Sequence, residues 1–225
     1  MYPTIIDVLD ELEELLDDPV PSIKLSATLA LARIMSYSES LSMKVKERDL
    51  VKMFVLLLKD PGSYEKKIGA YALRSLAKHS AELAQSVFDA KGMEGLHSCL
   101  SNDDSSVKEI AASALAQLAK YSAEQANLLN QSGVTQQLIE CIAKEQEENL
   151  KKEALTALTE IAKHDEKLGD SILDRGGAIC LVRLISSPNA YIRRQVSLSE
   201  INPLELRLFG PDSEAWCGFS GQNSR

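Results

Sequence analysis

An all-α solenoid of stacked helical repeats is the fold class this sequence predicts, and three observations predict it. The pattern A-L-x-x-[LI]-[AM] recurs with anchor leucines at Leu31, Leu73, Leu115 and Leu158, spaced 42, 42 and 43 residues apart. The segments between anchors carry only helix-period apolar patterning, broken by polar caps and glycines. The residues beside each anchor fall into columns: Ala30, Ala72, Ala114 and Ala157 one before it, and Ala27, Gly69, Ala111 and Ala154 four before it. A period in the forties built from helices alone marks a solenoid, whose units pack only on their neighbours.

The columns also assign the buried face. Small residues three apart let neighbouring helices approach near the lower end of the usual 8–10 Å spacing. Ile34, Leu76, Leu118 and Ile161 stand three after the anchors and complete an apolar stripe.

In chain order, residues 4–16 form an acidic amphipathic helix. Its Leu16 aligns with Leu58, Leu100 and Ile142, so it is the second helix of a unit that lacks its first. The best-preserved unit reads as three helices. Ser80 caps a short helix over 81–90, Gly92 breaks the chain, and a second helix covers 93–100. The polar turn 101–105 leads to a long helix over 106–120, with Ser106 and Glu109 at capping-box spacing. Gly133, and Gly176 or Gly177, mark the same break later, and Asp49 stands near it earlier. Three helices with a glycine corner indicate armadillo geometry, whereas a HEAT unit is a plain helix pair.

The expected organisation is a solenoid over 1–201, with about four repeats plus a partial fifth. It divides into a partial repeat 1–38, repeats 39–80, 81–122 and 123–165, and a partial unit 166–201. Ile192, Arg193, Arg194, Gln195 and Val196 open a fifth long helix in register, after which the alanine columns are lost. Residues 202–225 form an irregular tail with Trp216 and Cys217. A repeat cut halfway leaves an apolar face open, which predicts self-association through the C-terminal edge unless a partner or the tail covers it.

Composition narrows the function classes. The chain is 44% hydrophobic but only 5% aromatic, as suits a thin core of Leu, Ala and Ile. A net charge of −8 argues against binding to nucleic acid, whose backbone would be repelled. No apolar run approaches the roughly 18 residues needed to span a membrane. The N-terminus lacks the basic start and apolar centre of a signal peptide, so a cytoplasmic chain is expected. Cys99 and Cys141 share a column about 10 Å apart, beyond disulfide reach, and free buried thiols are expected.

Catalysis finds no footing. There is no phosphate loop, and Gly218-Phe219-Ser220-Gly221 lacks the strand and helix of a nucleophile elbow. His79 and His164 lie two repeats apart, and His97 and Cys99 point to different helix faces, so neither pair makes a metal site. A non-enzymatic protein-binding role without cofactor follows.

The run Leu76-Ala77-Lys78-His79-Ser80-Ala81-Glu82-Leu83-Ala84-Gln85-Ser86-Val87 recurs weakly after Leu118 and Ile161. It resembles the repeat of the armadillo proteins of the ciliary central apparatus, the sperm-associated antigen family. That likeness covers about residues 22–196. It implies a cytoskeletal protein of the ciliary or flagellar axoneme, bound to microtubule-associated partners and supporting motility. A soluble cytosolic adaptor that recruits an acidic client peptide is the alternative.

The candidate partner-binding residues form a basic ladder. Lys24, Lys66, Lys108 and Lys151 stand seven before the anchors, Arg194 holds that place in the fifth unit, and Lys67, Lys152 and Arg193 lie beside them. A cation early in a helix opposes the macrodipole, so propensity alone does not account for the column. Two readings stay open. The ladder takes an acidic extended segment such as a glutamate-rich tail, or each lysine pairs with an acid of the adjacent turn among Asp60, Asp103, Asp104, Glu147 and Glu148. Lys78, Lys120 and Lys163 close the long helices, where cations favour the dipole.

Overall fold

The structure, a computed structural model, describes residues 5–185 and residue 193. Its described part contains thirteen α-helices and no strand: α1 (Ile5–Leu16), α2 (Pro21–Tyr37), α3 (Glu39–Glu47), α4 (Val51–Leu57), α5 (Ser63–Ala77), α6 (Ala81–Asp89), α7 (Gly92–Cys99), α8 (Ser105–Ala119), α9 (Ala123–Gln131), α10 (Val134–Lys144), α11 (Glu148–Ala162), α12 (Glu166–Ile172) and α13 (Ala178–Ile185). The long helices α2, α5, α8 and α11 pack each against the next in one layer. Shorter helices close each unit from behind. The fold is an armadillo-type α-solenoid.

The anchor columns build one continuous core. Leu31, Leu73 and Leu115 are fully buried, Leu158 is 3% exposed, and all four belong to a single cluster with Met35, Leu76, Leu118 and Ile161. Gly69 shows why the small-residue column exists. A Cβ there would lie 2.8 Å from the Phe54 carbonyl oxygen and 2.9 Å from Leu57 Cβ, because α4 crosses α5 at that point.

Helix starts match the expected ones to within one residue, but their caps differ for identifiable reasons. The long helix α8 begins at Ser105, and its cap is Asp104, whose carboxylate accepts from the Ser106 N–H at 2.8 Å. Ser106 is therefore inside the first turn and not the start of a capping box. Ser80 precedes α6 as expected, but its hydroxyl is buried without a partner and makes no capping bond.

The corner between first and second helices is a left-handed residue. Asp49 (φ 58°), Lys91 (φ 60°), Gly133 (φ 89°) and Gly176 (φ 101°) occupy it at intervals of 42, 42 and 43 residues. In the second complete unit the break is thus at Lys91 rather than Gly92. Gly92 opens α7 and is buried; a Cβ on it would stand 2.6 Å from Val87 Cγ1.

The residue after each long helix reaches back one repeat. His79 Nε2 donates to the Met35 carbonyl at 2.6 Å, and His164 Nε2 donates to the Ala119 carbonyl at 2.6 Å. Between them, the Tyr121 hydroxyl donates to the Lys78 carbonyl, and Lys78 Nζ donates to the Ser36 carbonyl. The last carbonyls of a helix lack intrahelical partners, so these bonds satisfy orphan acceptors and tie each long helix to its predecessor.

Cys99, Cys141 and Cys180 are buried cysteines that form no disulfide among the described residues. The Cys141 and Cys180 thiols face the Leu100 and Ile139 carbonyls at 4.0 and 3.7 Å, so Cys180, although off the column, repeats the contact of Cys141. At the N-terminal end the stacking stripe lies open. Ile23 is 36% exposed and Ala30 and Ile34 are half-buried, whereas their counterparts Val107, Ala114 and Leu118 are buried. The expected tail over 202–225, Cys217 and the C-terminal edge fall outside the described residues. No described helix is long and apolar enough to cross a membrane.

Candidate functional site: the long-helix face

One side of the long-helix layer packs on the shorter helices, and among the described residues the opposite side is open. On α5 the open stripe runs through Tyr64, Lys67, Tyr71 and Arg74, at helical spacings of three and four that keep one face. On α8 it holds Ser106, Glu109, Ile110 and Gln117, and on α11 Asn149, Lys152, Glu153 and Thr156, all exposed or half-buried. Each stripe is set by its neighbour: the Ala and Leu columns must face the adjacent helices, which leaves the positions between them to solvent.

The structure divides the basic ladder between two faces. Lys67 and Lys152 stand on the open stripe. Lys66 and Lys108, one position earlier in the column frame, turn about 100° away, towards the end of the second helix of the following unit. Lys108 pairs with Glu145, just past α10, and its side chain is only 14% exposed. It also lies close enough to Cys141, and Lys66 close enough to Cys99, for each charge to oppose the upward push that burial gives the thiol. Each lysine sits in the first turn of its own helix but near the last turn of another, where a cation is favourable. That accounts for the two central members, Lys66 and Lys108, of a column the helix's own dipole disfavours. The acid found beside Lys108 is Glu145, none of the five the sequence suggested.

Lys24 and Lys151 are half-buried, and Lys152 lies 3.5 Å from the carboxylate of Glu153. Arg193 is helical and half-buried, and Arg194 lies outside the described residues.

Electrostatics single out the middle of the face. Burial and the neighbouring Glu153 carboxylate push the Glu109 carboxyl above its ordinary range, while Lys67, Arg74 and Lys152 oppose the shift. Four charged groups from the two flanking long helices therefore act on Glu109 of α8: Lys67 and Arg74 of α5, and Lys152 and Glu153 of α11. Sequence reasoning had found two of them. Arg74, Glu109 and the intervening Tyr71 were missed as a group.

Comparison with known proteins gives the fold and not a family. No protein-family model and no curated protein matches the chain. Among solved structures, an engineered protein is 27% identical, with a TM-score of 0.80 over 88% of this chain and 79% of that one. A second engineered protein is 25% identical, with a TM-score of 0.80 over 91% and 88%. A designed armadillo repeat protein in complex with the peptide (KR)4 is 21% identical, with a TM-score of 0.81 over 96% of this chain and 92% of that one. The class these likenesses define is the armadillo-repeat solenoid, and none of them extends the resemblance to ciliary proteins.

Proposed function

We propose that this protein is a non-enzymatic interaction scaffold that takes an extended polypeptide segment on its long-helix face. The observation that carries the reading is the open stripe itself. Tyr64, Lys67, Tyr71, Arg74, Glu109 and Lys152 present aromatic and charged groups from three adjacent helices with no element of the described chain over them. A rigid layer of helices holds such groups in place at little entropic cost to binding. The structural neighbour that carries (KR)4, and another described as designed for modular peptide recognition, bind peptides on the same architecture. Of the basic ladder, Lys67 and Lys152 contact the segment in this reading. Lys24, Lys66, Lys108, Lys151, Arg193 and Arg194 contribute to the field along the edge.

The test is selection of a displayed random twelve-residue peptide library on the full chain, followed by photo-crosslinking from position 71. Enriched peptides are expected to crosslink there and not from position 56 on the far side, where Leu56 is 62% exposed. Equal crosslinking from both positions, or no enrichment, contradicts the reading.

A structural role in the axoneme is the second reading, and it rests on the residue 76–87 run. Much of that run serves stacking: Leu76, Ala77, Leu83, Ala84 and Val87 are buried, and Lys78 and His79 bond carbonyls of the preceding repeat. Tagging the endogenous protein in ciliated cells decides it. Signal along the axoneme supports this reading, and signal confined to the cytosol rejects it.

A further inference from the structure

The charges on the open face are not equally engaged. On it Lys152 lies 3.5 Å from the Glu153 carboxylate, and away from it Lys108 pairs with Glu145, Lys163 with Glu160, and Lys78 with the Ser36 carbonyl. Three groups on the stripe make no direct ion pair among the described residues and act on one another only at longer range: Lys67 and Arg74 on α5, and Glu109 on α8. The two cations lie seven residues apart on one helix face with Tyr71 between them, so they form a single positive rung. The acid belongs to the next helix along and is half-buried. Two cations without a direct ion pair, facing one half-buried acid, are a local excess of positive charge in a chain of net charge −8.

We infer that the segment bound on this face is bipolar, with an acidic residue over Lys67 and Arg74 and a basic residue, two to three positions away, over Glu109. The inference rests on the peptide-binding reading above and adds the order of charges. Adjacent long helices are about 8–10 Å apart, and an extended chain advances about 3.3–3.6 Å per residue, which sets the spacing. Tyr71 supplies a ring against which the aliphatic part of either charged side chain packs. A uniformly basic peptide such as the (KR)4 of the designed neighbour would set cations on Lys67 and Arg74 and is disfavoured here. A uniformly acidic one would meet Glu109. The acid and base of a bipolar segment each find an opposite charge that is engaged only at long range on the protein and makes no direct ion pair there.

The experiment uses twelve-residue Ala/Ser peptides with a central E-A-K, E-A-A-K, E-A-A-E or K-A-A-K. They are titrated into the isotope-labelled full chain and followed by NMR, which reads weak affinities and locates the contact. One of the two E–K peptides is expected to bind at least fivefold more tightly than E-A-A-E or K-A-A-K. Glu109→Lys should move the preference to E-A-A-E, and the double change Lys67→Glu, Arg74→Glu should move it to K-A-A-K, each variant keeping its helical circular dichroism. The two switches act on different helices, so loss of fold in one leaves the other decisive. Binding of all four peptides with equal affinity, or a preference that neither variant moves, overturns the inference while leaving peptide binding intact. If these peptides and the enriched library peptides all fail to bind, the peptide-binding reading falls and takes the inference with it.

Discussion

The Tyr121 hydroxyl donates to the carbonyl oxygen of Lys78, the residue that caps the long helix one repeat earlier. His79 and His164 make the equivalent contact in the repeats on either side, so one column uses two side-chain chemistries for one bond. Removing the hydroxyl leaves a half-buried acceptor without its donor. Tyr121→Phe is expected to lower stability by about 1 kcal/mol, within the roughly 0.5–1.5 kcal/mol of a typical intramolecular hydrogen bond. Urea denaturation measures it, and an unchanged midpoint would show that the bond contributes nothing.

Gly69→Ala should destabilise although alanine is the better helix former by about 1 kcal/mol. The new Cβ meets the backbone oxygen of Phe54, which cannot turn aside as a side chain would. Overpacking of this kind costs about 1–3 kcal/mol, so after the propensity gain the net loss should reach up to about 2 kcal/mol. The other long helices carry Ala27, Ala111 and Ala154 in this column, and each of those is buried without difficulty. A more stable Gly69→Ala protein would mean that α4 can move away from α5.

How much of this was legible in the sequence depended on whether a feature repeats. Burial of the anchors imposes the same residue types in every unit, so Leu31, Leu73, Leu115 and Leu158 could be read as core from spacing alone. Arg74 and Tyr71 occur once each. Their columns otherwise hold Ala32, Ala116 and Thr159, and Leu29, Ser113 and Thr156, and a reading built on what recurs passes over them. The lysine column was visible but its faces were not. Residues 66 and 67 differ by one helical step, and only the packing shows which of them turns towards the next unit. The pairing of Lys108 with Glu145 was also hidden, because the acid comes from the connection after α10, where no periodic pattern fixes the chain.

The corner column gives a paired test. Gly133 has φ 89°, and Gly133→Ala should cost about 1–2 kcal/mol, since a Cβ is disfavoured in the left-handed region. Lys91 already bears that cost at φ 60°, so Lys91→Gly should be neutral or slightly stabilising, the relief being offset by the roughly 0.5–1 kcal/mol entropic penalty of glycine. Thermal melts of the two variants should therefore move in opposite directions or leave Lys91→Gly unchanged. Equal losses in both would show that the Lys91 side chain contributes more than its strained backbone costs.

The buried thiols make stability depend on alkaline pH. Burial pushes Cys99 and Cys141 up to about 11, with the nearby charges of Lys66 and Lys108 opposing the shift. In the unfolded chain both return to about 8.5. Between these values the unfolded state releases protons that the folded state retains, so stability falls as pH rises. The contribution is complete below about pH 8.5 and lost progressively towards pH 11, by roughly 3 kcal/mol per thiol at the upper limit. Lysines and tyrosines titrate in the same range, but they do so equally in a Cys99→Ala, Cys141→Ala double variant. The variant will be less stable near pH 7, because each truncation leaves a small cavity. Its stability should then decline less steeply than that of the parent above pH 8.5. Parallel pH profiles for the two proteins would mean that the thiols ionise in the folded state as readily as in the unfolded chain.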